Sequence, residues 1–197
     1  MSWIHVALQK VLAQVTQNEE FVQLIPDNPD AHLVAQKAIY LLQSMRGITP
    51  IWHFGWYITG PYSPRLAQDL RAASEHADAV IATARAAQLS PATDRAARAL
   101  RDLLCEAPRY SLGSPRWLQL LAIVDYIARW RGEPPDSADV ADRAFRWKPE
   151  FTPDQIRAAA TALTSLRSLP AEHEENEPWA SDAPRPPAAG GEGTGPS

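Results

Sequence analysis

A chain of 197 residues with 45% hydrophobic and 21% charged positions has the make-up of a globular protein large enough for a substantial core. The formal charge of −4 is unevenly spread: residues 1–169 hold 18 Lys/Arg against 17 Asp/Glu, and residues 170–197 one Arg against six acids. The balanced body argues against broad nucleic-acid binding, the single Cys105 excludes an intrachain disulfide or Cys-based zinc centre, and no window has the ~20 apolar residues of a membrane span.

The N-terminus shows no basic segment followed by an apolar run and a cleavage site, so a cytoplasmic protein is expected. Ser2 opens a first helix whose apolar face is Ile4, Leu8, Val11, Leu12 and Val15. A second helix, about Asp30 to Met45, is apolar nearly all round, which places it in the centre of a core. Its narrow polar stripe is Gln36, Lys37, Gln43 and Ser44, and Gly47 is a suitable terminator.

Residues 51–58 switch to period two. Trp52, Phe54, Trp56 and Ile58 share one face of a strand; Ile51, His53, Gly55 and Tyr57 share the other. The segment Gly60-Pro61-Tyr62-Ser63 follows as a turn, in which glycine admits a positive φ, proline stiffens the corner and Ser63 caps a helix. Gly55 inside the strand suggests a bulge or a close backbone approach.

Four Ser/Thr-Pro pairs (Ser63-Pro64, Ser90-Pro91, Ser114-Pro115, Thr152-Pro153) each predict a helix start, because the hydroxyl caps free N–H groups and proline at the first position needs none. Thr152 with Gln155 also reads as a capping box. The helices so opened run from Pro64 to about Ala87 with a break near His76, from Pro91 to Glu106, from Pro115 to Arg131 and from Pro153 to Leu169. A shorter one covers Ser137 to Trp147. The expected architecture is mainly α with a small β element: one compact multi-helix domain over 1–169. An acidic Pro- and Gly-rich tail over 170–197 is expected to be disordered, with Trp179 its one large apolar side chain.

Gln36-Lys37-Ala38-Ile39-Tyr40-Leu41-Leu42, then the aromatic strand, then Gly60-Pro61-Tyr62-Ser63 with Leu66 and Leu70, resembles a block of the YwgA-like bacterial proteins. More loosely it is similar to the Panacea (SocA-like) domain. The resemblance covers about residues 33–72. Thr59 stands where a tyrosine usually precedes the Gly-Pro pair in these families. The resemblance implies a small, mainly helical fold with winged-helix-like features and no established active site. It also implies an association with neutralising toxins or adapting them to proteolysis.

Catalysis finds no candidate residues. His5, His32, His53 and His76 are widely spaced, Cys105 reads as a small core residue, and neither a nucleophile elbow nor a phosphate-binding glycine loop is present. The leading expectation is therefore a non-enzymatic protein-interaction module, antitoxin-like or regulatory, needing no cofactor. Its partner contacts would lie at His53, Tyr57, Gly60, Pro61, Tyr62 and Ser63. The alternative is a winged-helix-type DNA-binding regulator using Arg65, Arg71, Arg95, Arg98 and Arg101, although Asp94–Arg98 and Arg98–Asp102 spacings describe a self-compensated helix face. Arg129, Arg131, Arg143, Arg146 and Lys148 interleave with Trp130 and Trp147 but are nearly cancelled by acids. Asp125, in an otherwise apolar helix, has Arg129 one turn later as its obvious partner.

Overall fold

The computed structural model describes residues 2–107 and 112–167; the expected tail, 170–197, lies outside them. The described residues form eight α-helices, a 3-10 turn at Phe21–Leu24 and one two-stranded hairpin. The helices are α1 (Trp3–Thr16), α2 (Pro29–Ser44), α3 (Pro64–Glu75), α4 (Ala77–Ala86), α5 (Pro91–Cys105), α6 (Ser114–Arg131), α7 (Ala138–Trp147) and α8 (Pro153–Arg167).

Capping chemistry explains most of these boundaries. Ser63 and Ser90 accept from Leu66 and Thr93 N–H at 3.3 and 3.2 Å, each with proline in the first turn. Thr152 and Gln155 close the capping box reciprocally, at 2.9 and 3.2 Å. Helix α6 departs from expectation: Gly113 is its N-cap, Ser114 lies inside the first turn, and no side chain caps it. Asn28 opens α2, accepting from Asp30 and Ala31 N–H. The break at His76 is real and divides α3 from α4.

Helices α2 and α6 pack on each other at the centre. From Trp117 to Ala128, α6 is buried at every position except half-buried Tyr126. Helix α1, with α3, α4 and α5 against it, covers one side, and α7 and α8 pack on α6. Gly47 has a different role from the expected terminator. Arg46 takes the left-handed conformation after α2 (φ 58°), whereas a Cβ on Gly47 would lie 2.3 Å from Ala96 Cβ. Glycine there permits α5 to approach closely.

The predicted eight-residue strand is only three residues long. Strand β1 (Gly55–Tyr57) pairs antiparallel with β2 (Gly60–Tyr62), with Trp56 opposite Pro61 and only Ile58 and Thr59 in the turn. The Gly-Pro-Tyr segment is thus a strand, and the chain reverses just before it. Gly60 makes that possible: its φ is +90°, and a Cβ would stand 2.8 Å from Ile123 Cγ1. Trp52, Phe54 and Trp56 do face inward, but Ile58 is 89% exposed at the tip. Replacing Gly60 with alanine should lower stability by about 1–3 kcal/mol, the cost of a strained backbone, with the unfolding midpoint in urea as the measurement.

Candidate interaction surface

A hairpin of three-residue strands satisfies few of its own backbone groups, and α2 supplies the missing partners. The Gln36 amide brackets Ser63, donating to its carbonyl at 3.1 Å and accepting from its N–H at 2.9 Å. Gln43 brackets Trp52 in the same way, at 3.0 and 3.1 Å. Between them Lys37 Nζ donates to the Pro61 carbonyl at 2.6 Å and to Thr59 Oγ1 at 3.5 Å. Gln36 and Lys37 are therefore buried, at 1% exposure each, on a helix that lies in the core. Burial, reinforced by neighbouring Lys148, lowers the Lys37 pKa to about 8.

From the other side, Gln119 donates to the Thr59 carbonyl at 3.4 Å and Lys148 donates to the Ile58 carbonyl. The end of α7 is thereby tied to the hairpin tip. Trp52 is anchored through its indole N–H to Asp69 at 2.9 Å, and Arg65 shares that carboxylate at 3.3 Å.

Beside the hairpin lies a run of aromatic rings. Tyr40 meets Phe54 and Tyr126; Tyr126 meets Trp56 with centroids 5.5 Å apart; Trp56 packs edge-on to Trp147 at 4.8 Å; Trp147 meets Trp130 at 5.7 Å. The run starts in the core and ends in solvent, where Trp130 is 59% and Trp147 38% exposed. The Arg131 and Arg143 guanidiniums stand 5.8 and 5.5 Å from the Trp130 ring centroid, and both pair with Asp139. The run thus ends in exposed indoles with paired charges at their edge.

The base of the run is held by Asp125, 1% exposed, which accepts from Tyr40 Oη at 2.8 Å, Arg129 Nε at 2.9 Å and Arg167 Nη2 at 2.6 Å. The Arg129 pairing is the expected one; Tyr40 and Arg167 join it from α2 and α8. Burial first, and then the Asp125 charge, raise the Tyr40 pKa well above its ordinary value, so its hydroxyl remains a donor.

The residues predicted to meet a partner divide by exposure. His53 and Tyr57 face solvent and Tyr62 is half-buried, its ring 4.9 Å from Tyr57 and 6.0 Å from His32. Gly60, Pro61 and Ser63 are buried, because the corner is pressed onto α2 and α6. The arginines of the DNA reading lie on two helices. Arg65 and Arg71 on α3 pair with Asp69 and Glu75, and Arg98 and Arg101 on α5 with Asp94 and Asp102. Helix α1 packs against both α3 and α5, and Arg95 has its own interactions within the described chain.

Cys105 is exposed rather than in the core, and borders a cleft of about 410 Å³ between the ends of α1, α2 and α5. That cleft shares no residue with the aromatic run. Among the described residues no three His, Cys, Asp or Glu side chains gather as a metal-binding group, and no helix is long and apolar enough to cross a membrane. No family model, curated protein or solved structure matches the chain.

In the sequence, Trp130 and Trp147 stand among charges that nearly cancel. Their convergence with Trp56 was not visible, since Trp56 is separated from Trp130 by 74 positions (130 − 56). The helical phase of Trp147 carried a usable signal. Val140, Ala144 and Trp147 recur at i, i+4 and i+7, which sets the indole at the edge of the buried face of α7.

Proposed function

We propose that the chain is a non-enzymatic protein-interaction module. Its contact surface is the exposed end of the aromatic run, Trp56, Trp147 and Trp130, continued around the hairpin tip by Ile58, Tyr57 and His53. The observation that carries this reading is the Trp56–Trp147–Trp130 group, packed edge-on and tilted and opening into solvent near the hairpin tip with its 89% exposed isoleucine. Large, pre-ordered rings are the side chains that most often concentrate binding energy. An antitoxin-like role is the finer form of the proposal. It rests on the resemblance of residues 33–72, and rescue of growth from an adjacent toxic gene is its test.

DNA regulation of the winged-helix kind ranks second. It would make the hairpin a wing, but that hairpin is pressed onto α2 and α6, and the arginines it needs are mostly spent on neighbouring carboxylates.

Trp130→Ala in the full chain is the decisive variant, since its exposed ring contributes little to folding. A tagged wild-type chain should recover a stoichiometric protein from host lysate. The variant should bind that protein about 30-fold or more weakly, the effect of removing a hot-spot indole. Equal binding by both chains would remove the aromatic face from the proposal.

A further inference from the structure

Strand β1 has one edge inside the hairpin and one without a neighbouring strand. Pro61 stands opposite Trp56 and has no N–H to give. The ladder therefore runs through Gly55–Tyr62 and Tyr57–Gly60, and the Trp56 N–H and C=O point away from β2. Among the described residues neither group meets a hydrogen-bond partner. The far edge of β2 is different: Lys37 takes the Pro61 carbonyl, and Gln36 takes both backbone groups of Ser63. It is also β2 that packs on α2 and α6, which leaves β1 on the outside of the hairpin.

Free strand edges are ordinarily blunted by lysines, prolines or inward-pointing charges, because an open edge templates pairing with another chain. Strand β1 carries none of these. From Gly47 to Pro64 the sequence holds no Lys, Arg, Asp or Glu, and Gly55, Tyr57 and Ile58 are all exposed. Lys148, which reaches the turn, is balanced by Glu150 at 3.8 Å. The lack of charge narrows the choice of occupant. Close to a two-fold axis a charged side chain meets its own sign, so an edge without charges suits a second copy of the same chain. A residue with both backbone groups turned outward is also its own complement. Two such residues exchange N–H···O=C bonds as a hydrogen-bonded antiparallel pair.

We propose that β1 pairs antiparallel with β1 of a second copy, Trp56 opposite Trp56, to make a four-stranded sheet across a two-fold axis. That register sets exposed Tyr57 across from Gly55 of the second copy, where no side chain obstructs the ring, and brings Ile58 toward half-buried Phe54. This pairing rests on the reading of the hairpin tip as a contact surface and names its occupant, while Trp130 and Trp147 are left to a different protein. A contact built on one short strand belongs with the small interfaces, under about 1,200 Å². A Kd of about 20 µM then pairs about 90% of chains at ~1 mM and less than half at ~10 µM.

Sedimentation equilibrium and single-amide hydrogen exchange on the full chain test this. The mass should rise with concentration toward twice the 21.7 kDa of one chain. Over the same range, about 10 µM to 1 mM, exchange of the Trp56 amide should slow about fivefold as the unpaired fraction falls. The Tyr57 amide, already in the hairpin ladder, should not change. Ile58→Lys alters a side chain that is 89% exposed and leaves folding intact. It should weaken pairing about tenfold or more, because each pair loses two isoleucine contacts and gains lysines at its edge. Trp130→Ala should pair as wild type does. A chain that stays monomeric at about 1 mM would overturn the proposal, since even weak pairing is populated there. So would a dimer in which the Trp56 amide exchanges at its dilute rate, or one lost in Trp130→Ala and kept in Ile58→Lys, because the copies would then meet elsewhere. The two readings fail separately: a monomeric chain whose lysate partner is lost in Trp130→Ala keeps the interaction surface and removes the strand pairing.

Discussion

Replacing Asp125 with asparagine should destabilise the fold by about 2–4 kcal/mol, the largest loss expected from any single isosteric change here. Removing one member of a buried ion pair costs about 3–5 kcal/mol when the remaining charges are stranded. The lower range applies because the Arg129 and Arg167 side chains are 45% and 28% exposed and can turn partly to water. Tyr40 has no such escape, since its hydroxyl is buried beneath α6 and loses an ionised acceptor. For a domain of this size the effect corresponds to a drop in Tm of about 5–12 °C by calorimetry. Tyr40→Phe should cost only about 1 kcal/mol, because Asp125 keeps both arginines. In the Asp125→Asn background Tyr40→Phe should be nearly neutral, as expected of residues that act through one contact. A Tm within a degree of wild type for Asp125→Asn would show that the three helices do not depend on this carboxylate.

The same residue illustrates what the sequence makes legible. Asp125 and Arg129 lie one turn apart, so local spacing was enough to pair them. Tyr40 and Arg167 come from 85 positions before and 42 after, and no spacing rule reaches that far. Helix starts are legible for a related reason: a Ser/Thr-Pro pair acts within one turn. Where the pair failed, at Ser114, glycine one residue earlier took the cap.

The paired strand is shorter than the alternating segment because two patterns overlap there. Alternation of Trp52, Phe54 and Trp56 was correctly assigned to a buried face, yet alternation reports which way side chains point, not whether the backbone is paired. Residues 51–54 alternate without a ladder; one of their backbone partners is the Gln43 amide. The Gly-Pro pair read as a turn because both residues favour turns, but the reversal needed only the positive φ of Gly60, which the first residue of β2 supplies. The buried polar stripe of α2 has the same origin. A short hairpin leaves carbonyls and N–H groups to be matched, and Gln36, Lys37 and Gln43 match them. Polarity on a helix ordinarily signals solvent, so nothing local distinguished these three.

Lys37 should give the fold an unusual rise in stability with alkali. Its ammonium is 1% exposed, and among the described residues no carboxylate lies within ion-pair distance; the Pro61 carbonyl and Thr59 hydroxyl are its partners. Burial first, and Lys148 second, bring its pKa from 10.5 down to about 8. The sign follows from proton counting. Below pH ~8 the lysine is charged in folded and unfolded chains alike, and the full penalty of the buried charge is present. Between pH ~8 and ~10.5 the unfolded chain binds the proton more tightly, so stability increases with pH. By pH 9.5 the gain should reach about 2 kcal/mol, below the range where ionising tyrosines act in the opposite direction. Lys37→Met removes the titrating group while nearly keeping its volume, so the difference in unfolding free energy between wild type and variant should move by that amount from pH 7 to 9.5. Urea titrations of both chains at each pH measure it, and parallel profiles would show that Lys37 is solvated as an ordinary lysine. A steep profile would also place the hairpin in the same cooperative unit as the aromatic run. The group that titrates holds the Pro61 carbonyl, Pro61 faces Trp56 across the ladder, and Trp56 sets the first ring of the surface that ends at Trp130.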